Sequence, residues 1–549
     1  MVNDIDREKI TGYDPKTGYV QLNTTFPDSK TLWNEDFQPT PVANRTWGAW
    51  TYFAIWFGMA VEVESWSLVS VGFDFGLNWF WSIFSVFIGN VAVLVPILII
   101  GHGGAKYGMP ETSLTRSRWG TYGTFIPSFA RGLIGAGWWG IDTWIITESF
   151  AGMYIDATGL KPQLMALVHT GNATPFTIAA LVPGVFITVF ISTIVARLII
   201  LYFAPPKHGQ KLLRKLSWIV PFIAFIGLIL VFVVNGSSVG WDFTPVFNIR
   251  TTVSGATFYY VLIALVNAQI SFWATMGISM PDYTRYARSQ RSAIKGQVTL
   301  PIMMLGIGIM AILTAGVTIV KYHTAIYDPV LLATISLPSS LLYITLFLLM
   351  LGVLVVNIFA DTVGPGYDFS NIYPKLIPWF GGVLIVVAIA ASLQSWSFYA
   401  SAGAYVESWL DGYGAILGAV EGVLMFDYVI IRRFKFEVAD VFLTHGRYRY
   451  LKGFNPAAVI AFALSLVLVY PPSSYLPVSF SLFPYQPWLY QGSWIFTILF
   501  SGIIYIILMK YWIMPKYQPE IKGGLIKGYI ADDTARVFEG NNTDNNIQE

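Results

Sequence analysis

Twelve apolar runs, each long enough to cross a bilayer, leave this chain little choice of fold. They fall near residues 48–73, 78–102, 125–153, 174–202, 217–235, 258–280, 299–320, 339–364, 376–397, 404–431, 455–471 and 493–514. A helix needs about 20 predominantly apolar residues to span the hydrocarbon, and these runs supply that with some allowance for tilt. Only 12% of the 549 residues are charged, whereas soluble domains carry roughly 25%. The expectation is an all-α polytopic membrane protein with 12 transmembrane helices.

Lysine and arginine orient the spans. With the N-terminus cytoplasmic, the inner side receives the basic clusters at 207–215, 285–295 and 432–452, while the outer loops hold Lys161, Arg250 and Lys321. Residues 1–47 lack the short apolar core of a cleaved signal peptide and read as a cytoplasmic tail. Residues 515–549 read as a second polar tail on the same side, of disordered composition. The absence of cysteine excludes a disulfide framework and thiol chemistry. The five histidines show no metal spacing, and no P-loop points to direct ATP drive.

Carboxylates inside the spans carry the functional signal. Glu62 and Glu64 lie in the first run, Asp142 and Glu148 in the third, Asp361 in the eighth and Glu421 in the tenth. A charged Asp at the centre of a spanning helix costs roughly 2.5–3.5 kcal/mol on insertion scales, so such residues usually face a polar cavity on a substrate or ion path. Glycine and proline interrupt two of the runs: Gly58 precedes the acids of the first, and Gly277 and Pro281 lie in the sixth. Interruptions at corresponding places in two halves point to a transporter site built from broken helices. On that reading the first and sixth helices are both broken, each opening a five-helix repeat (48–236 and 258–431), and residues 455–514 add two helices. The third and eighth runs carry Trp138-x-x-x-Asp142 and Asn357-x-x-x-Asp361, a spacing that puts each pair on one helix face.

Five stretches in order, RTWGAWTYFAIWFGMAVEV, GWWGIDTW, FWATMGISMPDYTRYA, NIFADTVGPGYDFSNIYP and DYVIIRRFKFEVADVF with GRYRYLKGFN, resemble the nucleobase–cation symporter-1 family. Its members are permeases for purines, cytosine, uracil, hydantoins, allantoin and thiamine. The resemblance spans roughly residues 40–460 and implies a leucine-transporter-type 5+5 inverted repeat plus two extra helices. It also implies a symporter that imports a planar heterocycle by alternating access. Carried over, the family's stacking aromatics become Trp138 and Trp273, with Phe272 beside them. Its edge-reading positions, commonly amides, become Glu62, Asp142 and Asp361, while Asn357 keeps its amide.

A carboxylate accepts hydrogen bonds and carries charge, where an amide both donates and accepts. These acids therefore suit a ligand rich in N–H groups or positively charged, although each acid could instead be neutral or paired within the bundle. The family's sodium-site positions correspond to Gly58, Val61, Val355 and Val356, which offer no side-chain hydroxyl. Glu62, Asp142 and Asp361 are then the candidates for carrying a proton, and H⁺ is expected as the coupling ion rather than Na⁺. No cofactor, metal or nucleic-acid partner is expected; the expected setting is the plasma membrane, with both termini cytoplasmic.

Glu64 and Glu148 are expected near the site or its vestibule, and Glu421 is a candidate gate or second proton site. Asp282, Arg285, Asp427, Arg432 and Arg433 read as helix-end anchors. Close helix contacts are expected at GLIGAG (132–137). The alternatives are an amino-acid or polyamine permease of the same fold, whose amine would suit the acids but not the tryptophans, and a membrane sensor. A membrane enzyme would need a nucleophile–base or metal cluster, and no such cluster is legible.

Overall fold

The computed structural model describes residues 39–518 except 171–173, 204–205, 374–375, 436–437, 445 and 472–486, together with 11–14, 19–22, 32 and 37; for 11–14, 19–22, 206–218, 359 and 439 it describes the backbone alone. The second tail beyond residue 518 lies outside the described residues. Part of the first tail is structured: β1 (Thr11–Asp14) pairs antiparallel with β2 (Tyr19–Leu22).

The helices that build the membrane body are α1 (Ala49–Ala60), α2 (Val63–Ser70), α3 (Trp79–Tyr107), α4 (Glu111–Trp119), α5 (Phe125–Ala157), α6 (Pro183–Phe203), α7 (Pro206–Ser237), α8 (Gly255–Thr284), α9 (Leu300–Tyr322), α10 (Pro329–Ser336), α11 (Ser339–Val356), α12 (Gly364–Ile372), α13 (Trp379–Leu393), α14 (Asp411–Phe426), α15 (Pro456–Val469) and α16 (Ser493–Leu508). Among the described residues, eight helical stretches are long and apolar enough to cross a membrane. The other four expected spans are helical too: one is split into α1 and α2, α5 carries several charges, and α13 and α15 are short at 15 and 14 residues. The fourth span begins later than its hydropathy suggests, at Pro183, because Val182 leaves the helical region.

Element order repeats along the chain. Short α4 follows two spans, and short α10 follows seven. The odd number of crossings between them puts the two short helices on opposite faces, as an inverted repeat requires.

The first helix breaks as expected. Val61 leaves the helix at ψ 64°, and Glu62 is extended (φ −135°, ψ 168°) at the start of α2. Glu64 then falls in the first turn of α2, where the positive end of the helix dipole favours an acid. The sixth span corrects its expectation, because α8 is continuous from Gly255 to Thr284. Gly277 leaves room for a neighbour: a Cβ there would collide with Glu421 Oε1. Pro281 lies in the last turn of α8 and gives no N–H to the Gly277 carbonyl, yet the helix runs on to Thr284.

The second interruption is in the eighth span. Between α11 and α12 residues Asn357–Val363 form a wide π turn, and the Thr362 hydroxyl donates to the Asn357 carbonyl five residues back at 2.8 Å. Pro365 follows, with no N–H to give the Asp361 carbonyl; its ring would crowd that carbonyl in a regular α-helix. Wide turns of this kind concentrate at functional sites.

Small residues set the closest crossings. Gly89 and Gly101 of α3 press on Gln269 and Met280 of α8. In GLIGAG, Gly132, Gly135 and Gly137 face Phe369, Pro365 and Trp409 in turn, which brings α5 close to the eighth and tenth spans.

Candidate functional site

The break in the first helix, the middle of α5, the continuous α8 and the π turn of the eighth span converge on one cavity of about 40 Å³. That volume admits water but not a heterocycle. Glu62, Glu64, Asp142 and Asp361 all line it, and so do Trp138, Trp273 and Phe272. The chain separates the first of these residues from the last by some 300 positions, so only the fold brings them together.

The aromatic wall is interlocked. The Phe272 ring stands edge-on to both indoles, 5.2 Å from Trp138 and 4.9 Å from Trp273. Trp56 closes on Trp273 from the other side at 5.4 Å, and Trp409 and Tyr405 back Trp138. Trp273 Nε1 is buried without a hydrogen-bond partner among the described residues, which leaves one donor at the cavity wall.

The acidic wall is a cluster in contact. Asp142 lies within hydrogen-bond reach of both Glu64 and Asp361, and Glu62 is close enough to Asp142 to feel its charge. Neither oxygen of Glu64 meets a donor among the described residues; its near neighbour is another carboxyl. Two touching carboxyls form a hydrogen bond only when one of them holds a proton, because an ionised carboxylate only accepts.

A profile of the permeases for cytosine and purines, uracil, thiamine and allantoin matches residues 39–515. The chain belongs to this permease family. It is 29% identical over 489 residues to a purine–uracil permease of Arabidopsis thaliana, covering 87% of this chain and 78% of that protein. It is 29% identical over 505 residues to an allantoin permease of Bacillus subtilis, covering 89% and 96%. Among solved structures it resembles Mhp1, a nucleobase–cation-symport-1 family transporter, in a closed conformation with bromovinylhydantoin bound. The TM-score is 0.66 at 17% identity, over 89% of this chain and 97% of that one. The permease is thus an integral multi-pass membrane protein with the leucine-transporter-type fold.

Asn357 of the permease, expected at the ligand edge, lies one layer behind it. Its Nδ2 donates to Asp142 Oδ2 at 3.1 Å, and its Oδ1 accepts from Arg197 Nη1 at 2.6 Å. Its amide is spent orienting Asp142. Arg197 escaped the sequence reading altogether. It is 4% exposed within α6, donates through Nη2 to Thr143 Oγ1 at 2.6 Å, and lies 4.2 Å over the Trp139 ring. An arginine inside an apolar span was the available signal. Trp139 therefore faces away from the cavity, toward Arg197 and the eighth and ninth spans.

Gly58, Val355 and Val356 line a second cavity of about 30 Å³ with Val220, Pro221 and Gly352, and Tyr283 is its polar side chain. Val61 is the residue at which α1 ends. Glu421 lies away from the central cavity, where its Oε2 accepts from Trp494 Nε1 at 2.6 Å. The anchors at the inner ends hold one another: Arg432 pairs with Asp427 at 3.4 Å, and Arg131, also unremarked in the sequence, joins Asp368 at 2.7 Å and Asp282 at 3.6 Å.

Proposed function

We propose that this permease is a secondary active importer that moves a planar, N–H-rich heterocycle, of the nucleobase or cyclic-ureide class, together with a proton. The observation that carries the reading is the convergence of four carboxyls and two indoles on one cavity. Trp138 and Trp273 would take the two faces of the ring, a geometry that suits flat π systems, once Phe272 turns from between them. Glu62, Asp142 and Asp361 would accept from the ring N–H groups. Relatives named for purine–uracil and allantoin transport support this class.

Proton coupling rests on two features. The touching carboxyls Glu64, Asp142 and Asp361 share protons that substrate binding and helix movement can redistribute. The positions that correspond to a sodium site are apolar, whereas a hard cation wants a shell of oxygens. The excess of lysine and arginine on one side supports cytoplasmic termini, and the reading puts the permease in the plasma membrane as an importer. The chain is read as a transporter and not as an enzyme.

The test is uptake of labelled allantoin, uracil and cytosine into proteoliposomes, with spermidine and an amino acid as controls, under a pH gradient or a sodium gradient. A heterocycle should accumulate when the outside is acidic, and Glu62→Gln, Asp142→Asn and Asp361→Asn should each flatten that pH dependence. Sodium-driven, pH-insensitive uptake refutes the coupling. Wild-type behaviour in all three variants refutes the site.

A further inference from the structure

A second carboxyl pair lies outside the central cavity and has no part in holding the ligand. Glu148, in the outer half of α5, is fully buried, and both its oxygens lack a donor among the described residues. Its neighbour is Asp328, 1% exposed, which begins α10; the two carboxyls lie within hydrogen-bond reach. Asp328 Oδ1 caps α10 by accepting from Val330 N at 2.8 Å, and Oδ2 meets no donor. The capping bond explains one oxygen of Asp328. Nothing structural explains why an acid without a cation should face it from the middle of a buried helix.

The surroundings connect this pair inward. Tyr399 feels the charges of both Asp328 and Glu64, and its hydroxyl bonds the Ser67 hydroxyl of α2. The Tyr405 ring packs against Tyr399 at 5.4 Å, and its hydroxyl donates to the Glu64 carbonyl at 3.2 Å. Glu64 in turn reaches Asp142. Outward, Tyr327 adjoins both acids of the pair and Asp74, which is exposed beyond the end of α2. The groups acting on the pair are thus acids and tyrosines, with no basic side chain facing it among the described residues. Burial raises the Asp328 carboxyl from its ordinary range to about 6, so it can exchange a proton near neutral pH.

We propose that the buried Glu148–Asp328 pair is an outer proton-binding site, loaded from the side of Asp74 and emptied through the Tyr399–Ser67 hydrogen bond into the Glu64–Asp142 cluster. One proton arrives from the outer solution on the pair. Each hydroxyl passes on its own proton as it receives another, and one proton appears on the central cluster. No bond other than O–H forms or breaks. This inference rests on the proton-coupled reading of the central site.

The experiment uses the full chain in proteoliposomes with an internal pH dye and allantoin, uracil and cytosine as probes. Wild type is compared with Glu148→Gln, Asp328→Asn and Tyr399→Phe. Asparagine keeps the acceptor that caps α10, so Asp328→Asn removes the acid without removing the cap. Each variant should lose proton influx and pH-driven uptake about tenfold or more, yet retain substrate counterflow, which needs no net proton movement. If wild type shows no heterocycle-driven proton influx, proton coupling fails and this site falls with it. If wild type shows influx and the variants match it in influx and pH profile, the outer site alone is refuted. Loss of counterflow in all three variants also overturns it, because the pair would then be structural.

Discussion

Replacing Gly277 with alanine separates two meanings of a glycine in a transport helix, a hinge or a gap left for a neighbour. In the structure α8 runs straight through Gly277, and the new methyl would fall on Glu421 Oε1. That carboxyl is fully buried and its other oxygen is held by Trp494 Nε1 at 2.6 Å, so it is not free to swing away. If it moves, the indole N–H is stranded at about 1–3 kcal/mol; if instead the helices part, overpacking costs about 1–3 kcal/mol. Alanine's helix propensity returns about 1 kcal/mol of that cost, so Gly277→Ala should destabilise the protein by about 0–2 kcal/mol net. With Glu421→Ala already in place the obstacle is gone, and alanine should then stabilise the helix by about 1 kcal/mol over glycine. The propensity gain is common to both backgrounds and cancels, so the two results differ by the packing cost alone, an interaction energy of about 1–3 kcal/mol. Unfolding of wild type, both single variants and the double variant in one detergent measures that energy. An equal loss from Gly277→Ala in both backgrounds would mean that the backbone at 277 itself must bend, and the packing argument would fail.

Two further expectations concern the layer behind the cavity and its aromatic wall. Arg197→Met should cost about 3–5 kcal/mol, as for one partner removed from a buried charged network, and Arg197→Lys should restore only part because it lacks the planar fork; wild-type unfolding of Arg197→Met would refute the clamp on Asn357. Trp138→Ala should weaken heterocycle binding by about 1–3 kcal/mol, the worth of one stacking face, with Trp138→Phe losing much less; calorimetry with allantoin and uracil reads this, and an unchanged Kd would remove Trp138 from the site.

Much of the site was legible because membrane insertion makes each ionisable residue conspicuous. Glu62, Asp142 and Asp361 stand out within apolar runs, and Trp138 and Trp273 lie in recognisable local motifs. The structure does bring these five to one cavity. The break at Val61–Glu62 was legible for a similar reason, since two acids interrupt an otherwise apolar helix. Asn357 shows where local reading stops. Its spacing from Asp361 puts both on one face of a regular helix, but the π turn alters that register, and Arg197, 160 residues away in sequence, takes the amide oxygen.

The sequence by itself determined the solvent this protein lives in, the helical spans, their orientation preference and the residue types available for a site. These depend on transfer of side chains from water to hydrocarbon, which is set residue by residue and survives in one dimension. Only the tertiary structure decided that Gly277 is a gap for Glu421, that Asn357 orients Asp142, and that Glu148 faces Asp328. Each of these depends on a contact of a few ångströms between distant helices. A carboxyl's chemistry is set by the donor, cation or second acid that such contacts place beside it.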